Sequence, residues 1–168
     1  MLDRLRHIVE GKDGRSLREL RPWLIERGYR LARSEKYPMA SSTDEFIGAA
    51  LSIHVWADRG FWYVDARPNG VDIDWMALDD WGACLGLPIA LFAKVNTLQP
   101  LDPTYFEAMP DLLPQVEALR AHLTTLEAAC LPDAIEPTVA CLRRRHEVAR
   151  AATGARLQAG SGASGQRT

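Results

Sequence analysis

The sequence predicts an α+β domain: a small, mostly antiparallel sheet over residues 29–75, packed against an N-terminal helix and C-terminal helices. Three observations carry this. Residues 51–67 alternate apolar and polar side chains around a turn, which is the period of paired strands. Residues 17–27 and 112–126 place leucines at spacings of three and four, which is the period of one helix face. Four of the five tryptophans (Trp56, Trp62, Trp75, Trp81) fall between residues 51 and 86, so the core is expected there.

At the N-terminal end, Leu2–Val9 reads as a short helix or an irregular arm, broken by the glycines of 11–14. Ser16 is a helix N-cap with Glu19 at the capping-box position. Leu17, Leu20 and Leu24 form the apolar face of the helix that follows. Pro22 predicts a kink or a later helix start, and Gly28 a stop. Tyr29–Ala32 reads as a first strand, and residues 37–43 as a loop by composition.

The hairpin has two competing registers. A three-residue loop, Asp58-Arg59-Gly60, pairs Ala57 with Phe61 and suits a turn ending in glycine. A two-residue loop pairs Asp58 with Phe61 instead. It places Ile53, Val55, Trp62 and Val64 on one face and His54, Trp56, Tyr63 and Asp65 on the other. A one-residue slip exchanges the faces, so only one register holds. Both leave large aromatics on each face, which predicts partial helix cover on the second.

Pro68-Asn69-Gly70 is a turn signal, and the alternation of Val71, Ile73 and Trp75 with Asp72 and Asp74 reads as a third hairpin strand. Leu78, Trp81 and Leu85 have helical spacing, with Asp79 and Asp80 in the first turn. Residues 89–97 are apolar and fit helix or strand. Asp102-Pro103 starts a short helix and Asp111 caps a longer one with the stripe Leu112, Val116, Leu119, Leu123, Leu126. Core packing explains that stripe more simply than a dimer seam does. Pro137 opens a last helix with a thin apolar side of Val139, Leu142 and Ala149. The domain is expected over 1–153, with 154–168 a disordered tail poor in apolar residues.

With 168 residues, 47% hydrophobic and 25% charged, the chain has the makeup of one globular domain. The net charge of −2 conceals a segregated layout: residues 1–36 carry +4, 44–81 carry −6, 82–137 carry −5 and 138–168 carry +5. Either the basic ends pack on the acidic middle and neutralise it, or the acidic middle meets a basic partner. Cys84, Cys130 and Cys141 are odd in number and irregularly spaced, which argues against a disulfide framework or zinc cluster and for a reducing compartment. The N-terminus has no apolar signal core and no apolar run is long enough to span a bilayer, so a cytoplasmic protein is expected.

Chemistry-bearing motifs are sparse. Asp72-Ile-Asp74 has the form of a metal-nucleotide Asp-x-Asp pair, but nothing else in the chain builds a nucleotide site, and a solvated strand face explains it. His54 with Asp65, Asp72 and Asp74 is the one candidate metal or acid–base cluster, and the other histidines are far along the chain. No G-x-S-x-G, partnered cysteine or phosphate loop is present. Arg143-Arg144-Arg145 projects in three directions from a helix and makes a poor nucleic-acid face. No cofactor, catalytic residue or nucleic-acid partner is therefore expected. The candidate partner-binding surface is acidic: Asp58, Asp65, Asp72, Asp74, Asp79 and Asp80.

The run Asp58-Arg-Gly-Phe-Trp-Tyr-Val-Asp65, with Asp74-Trp75, then Trp81 and Leu85-Gly86, and the upstream Arg27-Gly28-Tyr29, resembles small bacterial immunity proteins of polymorphic-toxin systems. The resemblance covers residues 17–86. It implies a cytoplasmic protein that binds a cognate toxin and blocks it, with an acidic surface answering a basic toxin domain. Two other readings compete. A secretion chaperone or adaptor would use an apolar groove between C-terminal helices. A metal-dependent enzyme would need His54 and at least two aspartates in one pocket.

Overall fold

The computed structural model describes residues 12–38, 41–58, 61–93 and 109–163, with only the backbone for 12–14 and 153–163. The elements are α1 (Lys12–Glu26), β1 (Arg30–Tyr37), β2 (Ser41–Ile47), β3 (Leu51–Asp58), β4 (Phe61–Pro68), β5 (Met76–Ala77), α2 (Leu78–Leu85), α3 (Leu112–Ala128) and α4 (Ile135–Ala163). The strands form one antiparallel meander in the order β1-β2-β3-β4-β5, and with its helices the chain is α+β. Among the described residues, no helix is long and apolar enough to cross a membrane. The segment Leu2–Val9 and the helix expected at Asp102-Pro103 lie outside the described residues.

Helix α1 starts at Lys12, ahead of the expected cap, and Ser16 is buried inside it. Gly14 falls in the first turn, where a glycine costs a helix only about 1 kcal/mol and does not end it. The helix also runs through Pro22 to Glu26. Leu20 and Leu24 on either side of Pro22 are fully buried, and that burial offsets the lost backbone bond. At the other end, Gly28 adopts φ 85°, its N–H donates to the Ile25 carbonyl and the Tyr29 N–H donates to the Leu24 carbonyl. This is the Schellman arrangement, closed by buried Tyr29.

The strand after Tyr29 runs on to Tyr37, and Ser41–Thr43, expected as loop, already belong to β2. Composition misleads there because the ladder to β1 and β3 supplies the backbone bonds that those polar residues seek in turns. In the central hairpin Asp58 pairs with Phe61, Val55 with Val64 and His54 with Asp65, so the two-residue connection holds. Pattern prevails over turn chemistry because this register buries Ile53, Val55, Ala57, Trp62, Val64 and Ala66 together.

The expected strand over Val71–Trp75 is not formed; only Met76–Ala77 pairs, against Ala66 and Asp65. Residues 69–75, after the end of β4, form a wide loop around Gly70 (φ 71°). The edge of β4 further along is already occupied. Gln115 of α3 accepts from the Val64 N–H at 2.9 Å and donates to the Trp62 carbonyl at 2.8 Å, standing in for a neighbouring strand.

The core lies between the inner face of the sheet and the helices. Trp81 is fully buried and donates to the Ala66 carbonyl at 3.1 Å. Trp62 joins the same core, whereas Trp56 and Trp75 lie half-buried on the opposite face. The whole Leu112–Leu126 stripe is buried, so it serves the core. Buried Asp44 sits under α1 and accepts a two-pronged bond from Arg21 at 2.7 and 2.8 Å. Helix α4 begins at Ile135, two residues before Pro137, and its backbone continues as helix past Gly154 to Ala163.

The expected absence of disulfides is overturned. Cys84 of α2 and Cys141 of α4 are bonded, with their Cα atoms 5.8 Å apart. The partners are 57 residues apart in sequence, and only the docking of the two helices brings them together. The cysteine argument for a reducing compartment therefore loses its premise. Cys130 is free and buried, and burial followed by the nearby Glu127 pushes its thiol up to about 12.

Candidate interaction surface

The outer face of the sheet, opposite the core, carries an aromatic stripe. The register sets Trp56 opposite Tyr63 and His54 opposite Asp65, with Asp58 and Phe61 at the hairpin tip. Trp56 and Tyr63 stack at 4.2 Å between ring centroids. Phe92, from the irregular segment after α2, stacks on Tyr63 at 5.9 Å. Trp75, from the loop before β5, lies against His54 at 4.9 Å and carries the Arg67 guanidinium over its ring at 4.3 Å. The sequence predicts helix cover on this face; the cover seen among the described residues instead includes two aromatic side chains from irregular segments. All of these rings are half-buried.

The six aspartates do not form one cluster. Asp58 is exposed at the tip of the hairpin, whereas Asp72 and Asp74 follow the turn at its far end. Strands of eight residues separate the two ends by roughly 25 Å. Asp65 lies within the stripe and accepts from the Trp56 indole N–H at 2.6 Å. Burial raises its carboxyl to about 6; the Trp56 bond opposes the rise and Asp80 adds to it.

The other four aspartates take up roles within the chain. Asp79 accepts from the backbone N–H groups of Leu91 and Phe92 at 3.0 and 2.9 Å, which anchors the segment that carries Phe92. Asp80 pairs with Arg145 at 2.8 Å and exposed Asp74 lies 3.1 Å from His146. The backbone carbonyl of Asp72 accepts from Arg143 at 3.1 Å, while its side chain is exposed. The basic last helix therefore packs along the acidic segment, as the neutralising reading of the charge layout anticipates. Two of the three consecutive arginines, Arg143 and Arg145, are used in this way.

His54 and the aspartates do not converge. The His54 Nε2 is 2.6 Å from the Thr43 hydroxyl, and burial pushes the imidazole below its ordinary value, which favours the neutral ring at pH 7. Its Nδ1 is buried without a partner among the described residues. Asp65 bonds to Trp56, and Asp74 faces α4. Among the described residues no three His, Cys, Asp or Glu groups are placed to hold a metal ion.

Sequence reasoning missed the roles of Cys84, Cys141, Arg143, Arg145 and His146. The opposed charges of the middle and the C-terminal end were the available signal for the last three. Comparison with family models, with curated proteins and with solved structures finds no match.

Proposed function

We propose that the protein acts by binding another protein, as an inhibitor or immunity protein that neutralises a cognate toxin, with no chemistry of its own. The observation that carries this reading is the outer sheet face: half-buried Trp56, Tyr63, Phe61 and Trp75 form a stripe, with exposed Asp58 at one end and exposed Asp72 and Asp74 at the other. Aromatic centres with charged rims are the anatomy of protein interfaces, and aromatic side chains are common among the residues that dominate binding energy. The acidic rim favours a basic partner. Asp65, Asp79 and Asp80 then support the surface from within, by holding Trp56, the Phe92 segment and α4.

The leucine stripe of α3 is buried in the core and so is not itself an open apolar surface. The test is affinity capture at low and high salt, with the wild type beside a variant carrying Asp58→Asn, Asp72→Asn and Asp74→Asn. A stoichiometric basic protein that is bound by the wild type, weakened by salt and lost from the variant supports the proposal. A partner retained equally by both proteins in high salt refutes the acidic-rim reading.

A further inference from the structure

Helix α4 is held to the body of the protein over a short stretch. Of its residues from Glu136 to Arg150, only Thr138, Val139 and Leu142 are buried. Four further attachments lie within one turn of Leu142. Cys141 is bonded to Cys84, Arg143 donates to the Asp72 carbonyl, Arg145 pairs with Asp80, and His146 lies against Asp74.

The spacing of these contacts is coordinated. Cys84 lies four residues after Asp80 on α2, and Cys141 lies four residues before Arg145 on α4. Residues four apart share a helix face, so the disulfide and the ion pair stack one turn apart on two antiparallel helices. Partly exposed ion pairs hold weakly and are screened by salt. The covalent link is the strongest single tether and fixes the register of the others. Both cysteines are partly exposed, within reach of a small thiol.

We infer that the basic turn Arg143–His146 is a releasable cover over Asp80, and that the Cys84–Cys141 disulfide decides whether the cover is held. Reduction by a dithiol delivers two electrons and two protons. Cys84 and Cys141 become thiols and the dithiol closes to its own disulfide. The Arg145–Asp80 ion pair, the Arg143 and His146 contacts and the buried Val139 and Leu142 are then left to hold α4, and opening it leaves Asp80 for a basic ligand. Only the naming of that ligand rests on the proposed function; the release itself does not.

The experiment is amide hydrogen exchange on the full chain under native conditions, before and after treatment with dithiothreitol. The expected result is exchange in residues 138–150 faster by on the order of tenfold, with β2, β3 and β4 unchanged. The variant carrying Cys84→Ser and Cys141→Ser should match the reduced wild type without reductant. Unchanged exchange in α4 would overturn the inference, because the other contacts would then suffice. Equal acceleration of helix and sheet would also overturn it, since the bond would be a general staple. Three alkylatable thiols in the untreated, denatured chain would remove the bond altogether. No partner is needed for any of these readouts, so failure of the inhibitor reading would leave the exchange result intact.

Discussion

Replacing Gln115 tests how the sheet is completed. Its side chain is fully buried and is shared between the Val64 N–H and the Trp62 carbonyl, on the edge of β4 that no strand covers. In Gln115→Leu the volume and apolar packing are nearly kept, but both backbone groups lose their partner in a dry setting. Each unsatisfied group costs about 1–3 kcal/mol, so the expected loss is about 2–6 kcal/mol. With a urea slope of about 2 kcal/mol per molar, the unfolding midpoint should fall by about 1–3 M. Gln115→Glu separates the two bonds: a carboxylate still accepts from Val64 but has nothing to donate to Trp62. Burial raises such a carboxyl in the folded state above its unfolded value. A group with a raised folded value contributes stability below the unfolded one, near 4.3, and loses it as pH rises through the folded one. The deficit of Gln115→Glu relative to wild type should therefore shrink as pH falls. A loss below about 0.5 kcal/mol in Gln115→Leu would refute the idea that this amide replaces a strand.

Asp65→Asn should stabilise the protein at pH 7. The folded carboxyl is raised from 3.8 to about 6, so its contribution is present below about 4 and lost as pH rises through 6; removing the charge should recover up to about 3 kcal/mol at pH 7 and almost nothing at pH 4. Thermal unfolding at the two pH values reads this, and a less stable variant at pH 7 would contradict it. Arg21→Met strands buried Asp44 without its cation and should cost about 3–5 kcal/mol in chemical unfolding, whereas a near-neutral change would show that Asp44 is otherwise satisfied. Gly82→Ala would bring a Cβ to 2.8 Å from the Ile89 Cβ and 3.2 Å from its carbonyl oxygen. The expected cost is about 1–3 kcal/mol in the same assay, and a stabilised variant would mean that the segment after α2 shifts freely.

The parts of the fold that the sequence made legible are those where burial has a period. The α3 stripe was readable because it buries one side of a regular element, and β3–β4 showed the period of paired strands, although the register that assigns their faces stayed open between two alternatives. Val71–Trp75 has the alternation of a strand but no free ladder to join, since β5 takes its place beside Ala66 and Gln115 occupies the next stretch of edge. Alternation reports two unlike faces; it does not report a neighbour. Ser41–Thr43 erred in the opposite sense, with loop composition overridden by ladders on both sides. The acidic residues were legible as a set, but their division was not. Asp65 turned inward to Trp56, Asp79 toward the backbone of Leu91 and Phe92, and Asp80 toward Arg145, all through tertiary placement. The Cys84–Cys141 bond left no local mark, because its geometry exists only once α4 lies along α2.

The most direct test of the binding account is carbodiimide labelling of carboxylates, read by mass spectrometry, in the free chain and in its complex with the captured partner. The account predicts that Asp58, Asp72 and Asp74 label readily when free and are protected in the complex, while exposed carboxylates away from this face, such as Glu117 and Glu136, label equally in both. Unchanged labelling of the three aspartates, with protection elsewhere on the protein, would contradict it.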